Sequence, residues 1–454
     1  MNTTKYFGTR AFRRTAVAIA VPILLQNLLT TSFALVDTLM VSQLGETALA
    51  AVGLAAAWNQ LFNVFLFGLT GGAGVFLAQY WGAKDKPGIH RAYGLGLICT
   101  LIVTAIFTAV TAAASYGVLC LFTPDEVVRQ AGAPYLRIVA LSYPALAVNM
   151  MAGVLLRSTE RVRIPLASSV VSVAVNIMLN YLLIFGSFGF PRMELRGAAV
   201  ASLIANWSGV LVTLAVGWGR NTLLRARLRQ LLDFDRNFVK QYIKICIPVF
   251  LNESIWGIGT TVLNMIYGHM GTTEYAALTI FRSVDNVITT AFVSLSAASG
   301  VLVGKEVGAG NRERAYQNAL AITCWTPVIS VVFSVILFVF RSPIVAIFGQ
   351  PQEVAGVALW LMVIAAFELP IRFLPFVHIV GIFRAGADAK TAALYDFIGV
   401  WCISVPLAAI GMWAGLPFLP VYAGVVFADG IVKLILSLRH FVSKKWIIQV
   451  TQEP

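Results

Sequence analysis

Charge is scarce in this chain. Asp, Glu, Lys and Arg make up 12% of its 454 residues, against 59% hydrophobic, where a soluble domain carries about 25% charge. So little polar surface does not keep a chain of this length dispersed in water. A cytosolic enzyme, a secreted disulfide scaffold and a disordered chain are thereby excluded. Cysteine is sparse too: Cys99, Cys120, Cys246, Cys324 and Cys402 all lie in apolar stretches and form no CxxC, so neither a disulfide framework nor a metal site is expected. The chain has no Walker A, GxSxG or HExxH pattern. No enzymatic role and no cofactor are expected, and transport, if any, must draw on an ion gradient. Acids are fewer than bases, 20 against 33, for a net charge of +13. In so apolar a chain this excess reflects cytoplasmic loops enriched in Lys and Arg, and no nucleic-acid partner is expected.

What the chain has in abundance is long apolar runs. A bilayer core needs roughly 20 apolar residues per helix. By that rule there are twelve spans: 15–41, 52–79, 92–117, 133–156, 164–188, 197–218, 241–269, 275–303, 316–340, 353–381, 390–413 and 417–438. The segment MNTTKYFGTRAFRR is basic, but the apolar run after it is full-length, and no cleavable signal is expected. With both termini in the cytoplasm, most basic residues fall inside. They run from Lys5, Arg10 and Arg13 through Arg157, Arg220 and Arg384 to Lys433 and Lys445, and outer loops keep only Arg129, Arg137, Arg192, Arg196 and Arg341. The expected class is an all-α polytopic membrane protein in the bacterial inner membrane.

The two halves repeat. At an offset of 226, Pro22 pairs with Pro248, Gly45 with Gly271, Gly74-Val75 with Gly300-Val301 and Gly82-Ala83 with Gly308-Ala309; at 227, Arg157 pairs with Arg384. Six spans per half means that both halves insert in the same sense, as parallel repeats. The expected organisation is two pseudo-symmetric six-helix lobes, 1–218 and 241–440. A basic linker at 219–240 rests on anionic headgroups, and 441–454 form a cytoplasmic tail. One copy suffices for a two-lobe transporter, so a monomer is expected.

Ionisable residues inside spans are costly and point to function. Asp37, on the first span, has Leu263 at its repeat position, so its role belongs to one half. A carboxyl held in an apolar span exchanges its proton in a range set by its surroundings. Asn176 and Asn180 are four residues apart on one face, and Ser202 ends the run GAAVAS. Together these are hard oxygen ligands suited to a small cation, or else ordinary interhelical hydrogen-bonding groups. Pro22 and Pro248 interrupt the first span of each half and permit a bend. Gln26 and Asn27, one turn past Pro22, are candidate cleft residues. So are Glu253, with Trp256 beside it for cation–π contact, and Glu368, Arg372 and Asp396. Spacing on one helix face suggests local pairs Arg282–Asp285, Glu368–Arg372 and Asp429–Lys433.

The segments VDTLMVSQLGETALAAVGLA (36–55), GAGVFLAQYWGAKD (72–85), NIMLNYLLIFG (176–186) with GAAVAS (197–202), and FRAGADAK (383–390) resemble the multidrug and toxic compound extrusion (MATE) transporters, over nearly the whole chain. The resemblance implies an antiporter that exports amphipathic, often cationic, drug-like compounds in exchange for H⁺ or Na⁺, through a cleft between two lobes. Asp37 matches the family's first-helix aspartate, Pro22 the proline where that helix bends, and Asn176 an asparagine of the N-lobe ion site. Asn180 and Ser202 stand where the DinF-like branch carries Asp and Thr. The missing carboxylate at Asn180 favours H⁺ over Na⁺. Glu253 lies one turn nearer the proline than the family's seventh-helix glutamate, and the tenth-helix aspartate of NorM-like members falls near Arg372. The alternative is a flippase of the wider superfamily, moving a lipid or lipid-linked saccharide. The twelve spans, and intramembrane acids outnumbering bases, favour the antiporter.

Overall fold

In lipid a backbone must satisfy its own polar groups, so apolar runs of this length fold as helices. The computed structural model describes residues 6–219 and 223–451, with backbone only at 34 and 35. Lys5, Arg220 and the last three residues of the tail lie outside the described residues. The helices are α1 Arg10–Ser42, α2 Glu46–Gly82, α3 Lys86–Cys120, α4 Glu126–Ala140, α5 Tyr143–Ser158, α6 Arg163–Phe185 and α7 Glu194–Gly219. A short α8 Leu228–Leu231 precedes α9 Arg236–His269, α10 Thr272–Gly308, α11 Arg312–Ile347, α12 Gln352–Phe376, α13 Ala389–Phe397, α14 Val405–Trp413 and α15 Phe418–Ser443. Wide π turns at Val377–Phe383 and Ile398–Ser404 extend α12 and join α13 to α14.

Eleven of these helical stretches are long and apolar enough to cross a membrane, and α4 with α5 is a pair bent by 45°; counted as one span, that pair makes twelve. The fourth span is therefore bent within its length. Pro144 has no N–H to offer the Ala140 carbonyl and its ring crowds it, and α4 ends at Ala140. Large apolar side chains on the outer faces, such as Val332, Val335 and Val339 of α11, are exposed, as lipid contact requires.

The chain divides into two compact units. One holds residues 21–77 and 85–243, the other 1–20, 78–84 and 244–454. This cut differs from a simple N-half and C-half, because α1 and α2 each contribute to both. The first unit packs around Phe62, Leu66, Leu136, Tyr143 and Ile184. The second packs around Phe281, Phe292, Leu361, Phe373 and Trp446, with the rings of Phe292 and Phe373 stacked at 3.8 Å. In the linker, α8 lies so close to α3 that a Cβ on Gly94 would overlap the Leu231 carbonyl. Arg225, Arg227 and Arg229 stay exposed.

The repeat also appears in the loops. Lys84 and Gly310, 226 residues apart, both take a left-handed backbone, with φ of 59° and 78°, and Asp85 and Asn311 each precede the next helix. Residues 444–451 pack within the second unit. Trp446 is fully buried, and Ile448 N donates to Gly386 O at 2.9 Å. Gln79 at the end of α2 donates to the carbonyls of Ala385 (2.9 Å) and Ile448 (3.1 Å) and accepts from Val450 N (2.8 Å). Trp446→Ala should cost about 3–5 kcal/mol by cavity formation. A lower thermal midpoint in detergent, read with a thiol dye on buried Cys246, checks it.

Candidate ion-coupling site

In the first unit, α1, α6 and α7 bring together Asp37, Asn176, Asn180 and Ser202. Asn180 Nδ2 donates to Asp37 Oδ1 at 2.8 Å and to Asn176 Oδ1 at 3.1 Å. Asn176 Nδ2 in turn donates to Ser202 Oγ at 3.3 Å. Asp37 and Ser202 are 7% and 8% exposed, and both asparagines are fully buried. Small residues permit the approach: a Cβ on Gly197 would sit 2.6 Å from the Leu183 carbonyl oxygen, so α7 closes directly on α6. The cluster holds one ionisable group. Asn180 presents N–H rather than oxygen to that carboxylate, while its own Oδ1 is buried with no hydrogen-bond partner among the described residues. Pro22 sits inside an unbroken α1 and leaves the Ala18 carbonyl without its helical donor. Gln26 and Asn27 lie half-buried one turn on.

The candidate residues of the second unit are held in ion pairs. Glu253 Oε1 takes Arg384 Nη2 at 2.6 Å, both side chains largely buried. Glu253 thus has an interhelical partner, and Trp256 beside it is 46% exposed. Asp285 does not pair with Arg282. It binds Arg372 through two contacts, Oδ1 to Nη2 at 2.5 Å and Oδ2 to Nη1 at 3.3 Å. Arg372 also reaches Glu368 Oε1, at the longer distance of 3.8 Å. Lys433 pairs with Asp429 at 3.1 Å as its spacing suggested, and also with Asp396 at 3.3 Å, while Asp396 accepts from Asn252 Nδ2 at 3.1 Å. His378 is buried, shares a hydrogen bond with Thr323 at 2.9 Å and stacks on Phe441.

The MatE family model matches this chain twice, at residues 22–182 and 248–410. The two matches begin at Pro22 and Pro248, at the offset of the internal repeat, and cover most of the chain. The chain belongs to the MatE family. Among curated relatives, a probable multidrug resistance protein NorM of Thermotoga maritima is 24% identical over 96% of this chain and 93% of its own length. An FAD transporter of Shewanella oneidensis is 26% identical over 88% of each. Among solved structures, the MATE transporter VcmN of Vibrio cholerae superposes with a TM-score of 0.87 at 17% identity, over 96% of this chain and 98% of that one. Twelve spans, an all-helical fold and a transporter rather than an enzyme follow from membership.

Within this MATE chain one feature escaped sequence reasoning. Arg157 and Arg384, repeat partners, were read as cytoplasmic loop charges. The structure instead turns each toward the first helix of its own half, just past the proline. Arg384 meets Glu253, and Arg157 meets Gln26 Oε1 at 3.5 Å. The signal was available in the repeat, which keeps an arginine at this position in both halves.

Proposed function

We propose that this chain is a proton-coupled multidrug efflux antiporter, working by alternating access in the bacterial inner membrane as a monomer with both termini in the cytoplasm. Its lobes are 1–218 and 241–440, joined by the linker at 219–240. Its substrates are amphipathic, often cationic, drug-like molecules. The observation that carries the coupling ion is the Asn180 amide donating to Asp37. A sodium ion needs several oxygens converging on it. Here the neighbour of the only carboxylate offers a hydrogen, whereas one proton on Asp37 needs no further ligand. Proton uptake neutralises Asp37, changes what Asn180 and α1 offer one another, and lets α1 bend at Pro22, where the helix already lacks one hydrogen bond. Proton release on the other side restores the carboxylate. Family membership and relatives named as multidrug proteins support the efflux reading.

The test is ethidium efflux from proteoliposomes with a pH gradient or a Na⁺ gradient imposed separately. Efflux driven by the pH gradient alone is expected. Efflux that requires Na⁺ would overturn proton coupling. No efflux under either gradient would shift the reading to a lipid or lipid-linked saccharide flippase.

A further inference from the structure

The two halves treat equivalent arginines differently. In the second unit Arg384 is neutralised by Glu253 at 2.6 Å, with side chains 7% and 15% exposed. At the repeat offset of 226, Asn27 stands where Glu253 stands and Gln26 where Asn252 stands. The first unit thus keeps the arginine and replaces the acid by amides. Arg157 Nη1 has only the Gln26 amide oxygen, at 3.5 Å, and no carboxylate pairs with it among the described residues. A neutral carbonyl at the long end of hydrogen-bond range does not compensate a half-buried guanidinium. Such an unmatched charge is expensive and marks function by default. The glycine at 153 leaves room beside the guanidinium for one more heavy atom at contact distance. A Cβ on Gly153, one turn back on α5, would still be 3.9 Å from Nη2 and 4.0 Å from Nη1.

We propose that Arg157 is an anion-recognition residue that takes a carboxylate or phosphate group of the transported molecule, so that preferred substrates are amphiphiles bearing an acidic group as well as any cationic one. The ligand's oxyanion fills, in the first half, the place that Glu253 fills in the second. Guanidinium and oxyanion match in two-pronged geometry, and Nη2 has no hydrogen-bond partner among the described residues. The proposal rests on the efflux reading for its substrate but not for its test, since binding needs no gradient.

The experiment uses a matched pair of fluorophores, the ethyl ester rhodamine 6G and its free acid, which differ only in that carboxylate. Binding to the full-length protein in neutral phosphatidylcholine nanodiscs is read by fluorescence anisotropy. The wild type should prefer the acid to the ester, and in Arg157→Gln that preference should fall about tenfold, the worth of one charge-assisted contact. Gln26→Glu gives Arg157 an internal carboxylate, copying the second half. It should lower the preference to the same level, and it remains informative if Arg157→Gln folds poorly. An unchanged acid-to-ester ratio in either variant overturns the proposal. The same series in phosphatidylglycerol separates the two sources of oxyanion. If anionic lipid abolishes the wild-type preference, and Arg157→Gln loses lipid-dependent thermal stabilisation instead, the partner is a headgroup and the substrate assignment falls. Acid-selective binding without ion-driven flux would refute the antiport reading alone.

Discussion

Asp37→Asn should reduce gradient-driven efflux to the level of protein-free liposomes while leaving the protein folded in the membrane. The substitution is nearly isosteric. The new amide keeps an oxygen where Oδ1 accepts from Asn180, and the links from Asn180 to Asn176 and on to Ser202 are untouched. The effect on stability should therefore stay within about 1 kcal/mol, the scale of one neutral hydrogen bond. What disappears is the only group of the cluster that can change charge. The variant should be present at wild-type levels by immunoblot, and its efflux should no longer respond to an imposed pH gradient. Asn180→Asp makes the converse case. It replaces a donor by a second carboxylate 2.8 Å from the first, a pair that cannot be doubly ionised without a cation between. That variant should acquire Na⁺-stimulated efflux. Normal pH-driven transport by Asp37→Asn would sink the mechanism, because no other ionisable residue of this cluster is left to carry the proton.

The legibility of this chain follows the range over which each signal acts. Hydropathy acts along one helix, and it placed all twelve spans to within several residues at either end. The cluster at Asp37 was readable because Asp37 is the one ionisable residue of the span 15–41, and because Asn176 and Asn180 share a face by spacing alone. Pairing rules of the same local kind misled at Asp285. Arg282 is three residues away and plausible, yet Arg372, 87 residues on, delivers a planar fork to both carboxylate oxygens, a geometry that a neighbour on the same helix does not match. At Lys433 the local rule held for Asp429, four residues back, but gave no sign of the second partner, Asp396. The order at 444–451 had no periodic signal, because its hydrogen bonds go to backbone carbonyls and to Gln79 rather than to a regular partner. The bend at Pro144 comes from a single proline, which hydropathy averaged along a run does not register.

Introducing a side chain at either Gly82 or Gly308 should prevent stable folding, and the two failures should be equal. These glycines are repeat partners, and so are Gln79 and Lys305, 226 residues apart. A Cβ on Gly82 would overlap the backbone carbonyl of Lys305, and a Cβ on Gly308 would overlap that of Gln79. The end of α2 and the end of α10 thus make the same backbone contact twice, once in each direction, about the pseudo-two-fold axis that parallel repeats imply. Neither obstacle is a flexible side chain that can swing away, so relief requires a shift of a whole helix. The shift would also pull Gln79 from the carbonyls of Ala385 and Ile448. Gly82→Ala or Gly308→Ala should cost more than about 4 kcal/mol, the range reserved for severe overpacking with lost buried hydrogen bonds, out of a total stability of about 5–15 kcal/mol. Gly53→Ala on the same α2 is the control. Nothing lies within 4 Å of its added Cβ, and alanine in a helix interior gains about 0.8–1 kcal/mol over glycine. Monodisperse yield after detergent extraction should therefore collapse for Gly82→Ala and Gly308→Ala and be maintained or raised for Gly53→Ala. Were one of the pair to fold normally while the other failed, the contact would not be reciprocal, and the internal repeat would have lost its symmetry at these two glycines.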